Sequence, residues 1–413
     1  MSPNISGKIF KTVKTVFGKQ PAQKKAEKYH FDLYGRYPIA LVKGKGSKVW
    51  DDERNEYIDA LAGIAVNSLG HCHPRIVNVI QKQAAKLMHV SNFYYNEPQS
   101  NLAEKLVKLS GLDRAFFCNS GAEAVEGAVK LARKYAFNKG KTGTIISMDN
   151  SFHGRTLGTI ALGKDKYQAG FHPMPSGFKR VPFNNVKALE ESVNEETIGI
   201  IIEPIQGEGG ILEVTPEYLK TARKLCDKYD IPLILDEVQC GIARTGKMFA
   251  YQHYGIEPDI LALAKALGSG FPIGAVVAKE HVAKAFEHGN HGTTYGGNPL
   301  ACAVALETLS TMEDEDICEM ARVRGDYMMT RIRDISTNWK TIREVRGKGL
   351  MIGVELAFPG AEVVKEMLKR GVLSNCASNN VIRIVPPLII TKDEIDTVVE
   401  VLIESIKAVE KNA

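Results

Sequence analysis

Ile231-Pro-Leu-Ile-Leu-Asp236 and Asp259-Ile-Leu-Ala-Leu-Ala-Lys265 are two short apolar runs that each lead to an ionisable residue. Apolar runs of this length, bounded by turn signals, indicate buried strands of a parallel sheet. Thr144-Ile-Ile-Ser-Met-Asp149 and Ile198-Gly-Ile-Ile-Ile-Glu203 repeat the pattern. Ligands of such sheets bind beyond the carboxyl ends of the strands. We therefore expect the four ionisable residues to meet at one edge of a sheet.

The composition is that of an ordinary globular chain. It has 413 residues, of which 44% are hydrophobic and 24% charged, enough for two or three domains. No window approaches the roughly 18 uninterrupted apolar residues of a membrane span, and nothing near the start resembles a secretory signal. We expect a cytoplasmic protein, with a mitochondrial location as the alternative. The seven scattered cysteines include no Cys-x-x-Cys pair, which indicates reduced thiols.

The basic character of the chain is confined to its first 26 residues. This stretch holds six lysines and no acid, which exceeds the net charge of +5, so the remainder is slightly negative. That distribution argues against a nucleic-acid-binding surface on the folded part. Ile9, Val13, Val16 and Phe17 have the spacing of an amphipathic helix. Such a helix would dock on a partner subunit, lie on a membrane surface or serve as a mitochondrial presequence.

Three regions are predicted along the chain. Residues 1–62 form an N-terminal segment with the basic helix and a hairpin, residues 63–311 a large domain, and residues 312–413 a smaller α+β domain. Within the last region, a capping box from Thr391 to Glu394 marks the start of the final helix. The His71-Cys72-His73 sequence favours a structured turn, and no second ligand cluster accompanies it, so we expect no metal site.

The stretch Asn119-Ser120-Gly121-Ala122-Glu123 predicts the start of a helix, with Ser120 and Glu123 in a capping box. Free backbone amides and the positive end of the helix dipole make such a start suitable for a phosphate. A plain capped helix is the alternative. Phe152 and Arg155 follow the Thr144 strand and would add an aromatic face and a guanidinium to the same edge, with Phe152 as a simple core residue the alternative.

A lysine, an aspartate, an aromatic ring and a phosphate site at one sheet edge are the parts that hold pyridoxal phosphate. Lys265 would bind the cofactor covalently through its amine. Asp236 would keep the pyridine nitrogen protonated, so that the ring withdraws electrons. Phe152 would stack on the ring. The phosphate would be bound by the helix start, Ser120, Gly121 and Ala122.

Two motifs resemble the signature of the class III aminotransferases, which have pyridoxal-phosphate fold type I. They are Leu235-Asp-Glu-Val-Gln-Cys-Gly-Ile-Ala-Arg-Thr-Gly and Ala264-Lys-Ala-Leu-Gly. Glu203-Pro-Ile-Gln-Gly-Glu208-Gly and Arg383-Ile-Val-Pro-Pro-Leu resemble the acetylornithine and ornithine aminotransferase branch. The resemblance implies a large domain with a mostly parallel sheet flanked by helices, a smaller C-terminal α+β domain, and a homodimer with shared active sites.

The same resemblance assigns further residues to the site. Arg383 would bind the α-carboxylate of glutamate or 2-oxoglutarate, and Arg155 that of an ω-amino donor. Glu208, on a glycine-rich loop expected to be flexible, would pair with Arg383 when no carboxylate is there. The remaining assignments are Glu203 in the cofactor pocket, Gln239 at the cofactor's 3-hydroxyl, Thr294 at the partner's cofactor phosphate, and Tyr34 facing the substrate.

The function implied is transfer of the terminal amino group of N-acetylornithine or ornithine to 2-oxoglutarate, giving the semialdehyde and glutamate, as in arginine biosynthesis. Tyr34 favours these donors over 4-aminobutyrate. Alternatives are 4-aminobutyrate, N-succinylornithine or another class III ω-amino acid as donor. Two further alternatives are less favoured. A glutamate-1-semialdehyde aminomutase would need no carboxylate clamp at Arg383, and a non-catalytic binding protein would need no cofactor.

Overall fold

The computed structural model describes residues 21–411, so the predicted amphipathic helix at Ile9 to Phe17 lies outside the described residues. The strands are β1 Leu41–Lys45, β2 Lys48–Asp51, β3 Glu56–Asp59, β4 Arg114–Cys118, β5 Thr144–Met148, β6 Phe178–Val181, β7 Thr197–Ile202, β8 Ile205–Gln206, β9 Leu212–Glu213, β10 Leu233–Asp236, β11 Ile260–Leu263, β12 Gly274–Ala278, β13 Ile342–Lys348, β14 Met351–Leu356, β15 Val372–Leu373, β16 Asn375–Ala377 and β17 Val381–Ile384. The α-helices are Pro21–Tyr29, Pro74–Lys86, Glu97–Ser110, Gly121–Asn138, Leu157–Ala161, Val186–Ser192, Pro216–Tyr229, Glu280–Ala283, Pro299–Asp314, Ile317–Ser336, Ala361–Lys369 and Lys392–Glu410.

A seven-stranded sheet forms the centre of the molecule, in the order β4-β12-β11-β10-β7-β5-β6. Strand β12 runs antiparallel to both of its neighbours, and the other six strands run parallel to one another. The four strands predicted from the sequence are β5, β7, β10 and β11, which lie side by side. Every residue of β7, β10 and β11 is buried, as expected for strands covered on both faces. The predicted fold class is confirmed.

The helix Gly121–Asn138 covers one face of this sheet and contacts β7, β11 and β12. Its small and branched residues, such as Ala128 and Leu131, pack against Ile234 and Val276. The helix follows β4, whose carboxyl end lies at the same edge as those of the other parallel strands. The sheet therefore brings the start of this helix to the edge where β7, β10 and β11 end.

The C-terminal part is built on the antiparallel sheet β13-β14-β17-β16, against which the helix Ile317–Ser336 packs. The predicted capping box at Thr391 is confirmed: its hydroxyl accepts from Glu394 N at 3.3 Å, and Glu394 accepts from Thr391 N at 2.8 Å. Among residues 21–411, no helix is long and apolar enough to cross a membrane.

The N-terminal hairpin is tied to the C-terminal part of the chain. Strands β1, β2 and β3 form an antiparallel meander, and β3 pairs in parallel with β15. The division of the chain at residues 62 and 311 stays a prediction, because this pairing joins the first region to the last. After β3 the backbone enters a left-handed turn, Ala62–Ala65, in which the φ angles lie between 52° and 67°. Asp59 stabilises the turn by accepting from Leu61 N and Ala62 N, at 3.0 and 2.7 Å.

Candidate active site

A cavity of about 430 Å³ lies where β7, β10 and β11 end. Its volume falls within the range of small-molecule sites, roughly 300 to 1,000 Å³. The helix start at Gly121, the turn after β5 and the turn after β11 form its walls. The predicted site residues that line it are Ser120, Gly121, Ala122, Phe152, Arg155, Glu203, Asp236, Gln239 and Lys265.

Lys265 lies two residues after the end of β11, in a left-handed backbone conformation with φ of 44°. Such a conformation is unfavourable for a residue with a Cβ, and strained residues of this kind cluster at active sites. Burial lowers the pKa of Lys265, and the charge of Arg383 lowers it further. A larger share of the side chain is therefore the neutral, nucleophilic amine than in an exposed lysine.

Asp236, the last residue of β10, is held by two contacts. Its Oδ1 accepts from Val238 N at 3.0 Å, and its Oδ2 lies 2.7 Å from His153 Nδ1. Burial lowers the pKa of His153, but the hydrogen bond and charge of Asp236 outweigh burial and raise it. His153 was not predicted as a site residue. Its one signal in the sequence is its position next to Phe152 in the turn after β5.

Glu203, directly after β7, joins two turns of the cavity wall. Its carboxylate accepts from Phe152 N at 2.8 Å and from Gly207 N at 3.3 Å. Burial raises the pKa of this carboxyl to about 7. The two backbone amides favour the ionised form, which limits the rise. Glu203 therefore fixes the position of Phe152, the aromatic residue expected to stack on a ring.

The helix start at Ser120 differs from the predicted capping box in one contact. Ser120 Oγ accepts from Glu123 N at 3.2 Å as predicted, but the Glu123 carboxylate accepts from Asn119 N at 2.8 Å instead of from Ser120 N. Within the described part of the chain, no group accepts from the amides of Gly121 and Ala122, which line the cavity. A Cβ at Gly121 would lie 2.6 Å from Val238 Cγ1, so this position requires glycine.

Arg383 on β17 is fully buried and forms an ion pair with Glu208 through Nη1. It also donates to Gln239 Oε1 at 3.2 Å and to Asn375 Oδ1 at 3.0 Å. Burial raises the pKa of Glu208, but the charge and hydrogen bond of Arg383 lower it by more. Gln239 connects this ion pair to the wall of the cavity, and Arg383 is close enough to depress the pKa of Lys265.

The loop that carries Glu208 packs against neighbouring side chains, and its predicted flexibility stays a prediction. It joins the paired strands β8 and β9. A Cβ at Gly207 would lie 2.3 Å from Gln239, and one at Gly209 would lie 2.7 Å from Gln206. Arg346 donates to the Gly210 carbonyl at 2.7 Å. The glycines therefore allow close packing, and the Glu208 carboxylate can leave Arg383 by rotation of its own side chain.

Arg155 is exposed at the cavity wall, and its guanidinium lies 4.1 Å from the ring centre of Tyr167. Tyr167 in turn contacts Phe152 edge to face, with 5.6 Å between ring centres. Sequence reasoning did not identify Tyr167, because it follows Arg155 by twelve residues in a segment without a motif. This ring holds the guanidinium beside the cavity, since cation–π contacts favour that geometry.

Glu208 and Arg383 adjoin the cavity through Gln239 without lining it. Three other expected residues lie away from the cavity of this chain. Tyr34 is 68% exposed and lines a separate cleft formed by residues 22–40. Thr294 is exposed on the loop before helix Pro299–Asp314. The roles of both stay predictions. Asp149 directly follows β5 at the common edge of the sheet, but it lines a neighbouring cleft with Asn184 and not the cavity. The expectation that it meets Glu203, Asp236 and Lys265 was wrong.

The residues of the cavity fit pyridoxal phosphate. Free amides at the helix start suit a phosphate, the fixed carboxylate of Asp236 suits a protonated ring nitrogen, and Lys265 supplies an amine. Glycine at position 121 lets the helix start pack closely against Val238 at the cavity wall.

Sequence comparison agrees with this geometry. The model of the family described as "Aminotransferase class-III" matches residues 33–406. The chain belongs to the class III aminotransferases. This class III aminotransferase is 55% identical over 388 residues to the acetylornithine aminotransferase of Methanocaldococcus jannaschii, covering 93% of this chain and 98% of the relative. It is 53% identical to that of Caldanaerobacter subterraneus, over 91% of this chain and 96% of the relative.

Solved structures of class III aminotransferases have the same fold. The ornithine aminotransferase of Toxoplasma gondii matches with a TM-score of 0.91 and 36% identity, covering 94% of this chain and 95% of that chain. The acetylornithine aminotransferase of Elizabethkingia anophelis matches with a TM-score of 0.83 and 36% identity, over 93% and 98%. The protein is therefore an aminotransferase of pyridoxal-phosphate fold type I.

Proposed function

We propose that this protein transfers the terminal amino group of N-acetylornithine to 2-oxoglutarate, with pyridoxal phosphate as cofactor, giving N-acetylglutamate semialdehyde and glutamate. The observation that carries the proposal is the ion pair of Arg383 with Glu208 beside Lys265. An enzyme that alternates between a donor and a dicarboxylate acceptor needs a carboxylate-binding cation that can be neutralised. The names of the relatives above support N-acetylornithine as the amino donor.

Pyridoxal phosphate, when bound, supplies an aldehyde that reacts with amines and a ring that withdraws electrons. Lys265 offers its neutral amine to bind the cofactor and, once released from it, to hold the proton removed from the substrate carbon. Asp236 stabilises a proton on the ring nitrogen, and His153 fixes that carboxylate. Ser120, Gly121 and Ala122 would bind the phosphate, Phe152 would stack on the ring, and Gln239 would contact the 3-hydroxyl.

The two substrates use different cations. The donor presents its α-carboxylate to Arg155 and its terminal amine to the centre of the cavity. The acceptor presents its α-carboxylate to Arg383, which Glu208 must first release. Tyr34 contributes to donor binding from the N-terminal segment. This division explains how one cavity accepts a monocarboxylate donor and a dicarboxylate acceptor.

A donor panel with 2-oxoglutarate as acceptor tests the proposal. N-acetylornithine is expected to give the highest kcat/KM among N-acetylornithine, ornithine, N-succinylornithine and 4-aminobutyrate. Ornithine is the second candidate donor, because the fold matches the Toxoplasma ornithine aminotransferase so closely. A clear preference for 4-aminobutyrate, or no formation of glutamate with any donor, would overturn the proposal.

Glu208→Ala should change the balance of the two half-reactions. Without the carboxylate, Arg383 is open to the acceptor at all times and remains unpaired when the donor is bound. Breaking a buried ion pair from one side costs about 3 kcal/mol or more. We expect the half-reaction with glutamate to improve and the preference for the ω-amino donor to weaken. Single-turnover rates of the separate half-reactions measure this ratio, and a ratio equal to that of the wild type would contradict the role of Glu208.

The protein is further proposed to act as a cytoplasmic homodimer in which Thr294 of one subunit binds the cofactor phosphate of the other. Its exposure in the single chain supports this arrangement. Thr294→Ala should weaken cofactor retention roughly tenfold or more, the effect of losing one hydrogen bond to a charged group. Dialysis followed by cofactor absorbance measures the loss.

Mixed dimers test whether the site is shared. In a dimer of one Lys265→Ala subunit and one Thr294→Ala subunit, a shared arrangement places both defects in one site and leaves the other site intact. Mixing should therefore restore a site that retains cofactor normally. If no such site appears in the mixed dimers, Thr294 belongs to the pocket of its own subunit.

A further inference from the structure

Lys164 lies next to the loop that carries Glu208. Its Nζ donates to the Glu208 carbonyl oxygen at 3.0 Å, and the side chain is half-buried. Among residues 21–411, no carboxylate lies within 4.0 Å of Lys164 Nζ. Its near partner is the neutral carbonyl oxygen of Glu208. Burial lowers the pKa of Lys164, and the charge of Lys166 lowers it further, while Glu208 and Glu203 raise it. Lys164 is thus a cation that lacks a paired anion, close to a carboxylate that is proposed to move.

The movement of Glu208 creates a need for a second cation. On the function proposed above, the α-carboxylate of 2-oxoglutarate displaces Glu208 from Arg383. The released carboxylate is still partly buried, and a buried carboxylate without a partner is unfavourable. The charges that stabilise ionised Glu208 are, in order, those of Arg383, Lys265 and Lys164. The acceptor occupies Arg383 and the chemistry uses Lys265, which leaves Lys164.

The anchored loop keeps Lys164 within reach of Glu208. Because the backbone on both sides of Glu208 is packed against Gln239 and Gln206, the carboxylate moves by rotation about its own side-chain bonds. The lysine is bonded to the carbonyl of the same residue, so the distance between the ammonium and the rotating side chain stays short. An ammonium has three donors and can bind the carbonyl and the carboxylate together.

We propose that Lys164 is the second partner of the Glu208 carboxylate and stabilises the state of the site that binds the dicarboxylate acceptor. Glu208 then has one cation in each half of the reaction, Arg383 with the donor and Lys164 with the acceptor. Lys164 acts through Glu208 and is a positioning residue that determines how strongly the acceptor binds. It extends the proposed function and rests on it.

The test compares Lys164→Met with the wild-type holoenzyme in separate half-reactions. Methionine keeps much of the length of the side chain and removes the charge. The KM for 2-oxoglutarate should rise roughly tenfold, the effect of losing one charge-assisted hydrogen bond, and kcat/KM for the donor should stay the same. Lys164→Arg should restore much of the acceptor affinity. The matched control is Lys166→Met, which removes an exposed charge two residues away and should leave the KM for 2-oxoglutarate unchanged.

A double-mutant cycle separates this role from direct attraction of the acceptor. In the Glu208→Ala background there is no carboxylate to receive, so Lys164→Met should have no further effect on the KM for 2-oxoglutarate. A rise that persists in this background would mean that Lys164 acts on the acceptor itself or on the fold, and would overturn the inference. If the wild type is active and Lys164→Met has the same KM for 2-oxoglutarate, the inference would also be overturned. A wild type that forms no glutamate from any donor would instead reject the proposed function.

Discussion

Lys265→Ala is expected to abolish amino-group transfer while leaving the fold intact. Lys265 is the one lysine among the described residues that line the cavity. Losing both the cofactor anchor and the proton-holding group should reduce turnover by about 10⁴-fold or more. Alanine and lysine have similar backbone preferences at the positive φ of this position, so the substitution adds no backbone strain. Steady-state turnover measures the loss, and thermal unfolding tests the fold. The variant should still bind the cofactor through its phosphate site and ring contacts.

Lys279→Ala is the matched control for this experiment. Lys279 follows β12, which runs antiparallel to β11, and its Nζ lies 3.2 Å from Asp259 at the opposite edge of the same sheet. Its removal should leave kcat and cofactor binding unchanged. Full activity of the Lys265→Ala enzyme would show that another group supplies the amine, and the assignment of Lys265 would then be wrong.

Asp236→Asn is expected to reduce kcat by roughly 10²- to 10³-fold, which corresponds to about 3 to 4 kcal/mol. Asparagine has nearly the same shape and can keep a hydrogen bond to His153. It lacks the charge that stabilises a proton on the ring nitrogen, so the ring would withdraw electrons less strongly. Single-turnover rates with the donor measure the effect on the chemical step, apart from product release.

Asp165→Asn serves as the control, since that carboxylate is exposed and pairs with Arg180 at 2.6 Å on the surface. It should react at the wild-type rate. A loss below about tenfold in Asp236→Asn, well short of what removal of a preorganised charge partner produces, would mean that another group controls the ring nitrogen. His153 would then be the next residue to test, because it is fully buried and in contact with the same carboxylate.

The central sheet was predictable because its strands are buried on both faces. Continuous apolar runs such as Ile198–Ile202 have few other stable arrangements in a chain of this size. The parallel order then placed Asp236 and Lys265 together, and the motif around Gly121 added the helix start. These features depend on residues that lie close together in the sequence, so they could be predicted from the sequence alone.

Other features depend on contacts between distant segments. Asp149 lines a neighbouring cleft and not the cavity, although its position in the sequence after β5 matches that of Glu203 after β7. The left-handed turn at Ala62–Ala65 includes Ile64 with φ of 67°, which local preferences disfavour and which Asp59 stabilises. His153 and Tyr167 belong to the site because they contact Asp236 and Arg155. Neither contact can be predicted from the spacing of these residues in the sequence.

The packed loop around Glu208 also sets a timescale. Rearrangement of a backbone loop takes nanoseconds to microseconds, and closure of a lid takes microseconds to milliseconds, whereas rotation of an accessible side chain takes roughly picoseconds to nanoseconds. Enzymes commonly turn over about ten times per second. Glu208 is partly buried and must first break its ion pair with Arg383, which slows this rotation relative to that of an exposed side chain. Because the glycines on either side lie close to Gln239 and Gln206, the exchange needs no backbone step, and we expect it to be faster than turnover. Raising the solvent viscosity should then leave the ratio of the two half-reaction rates unchanged.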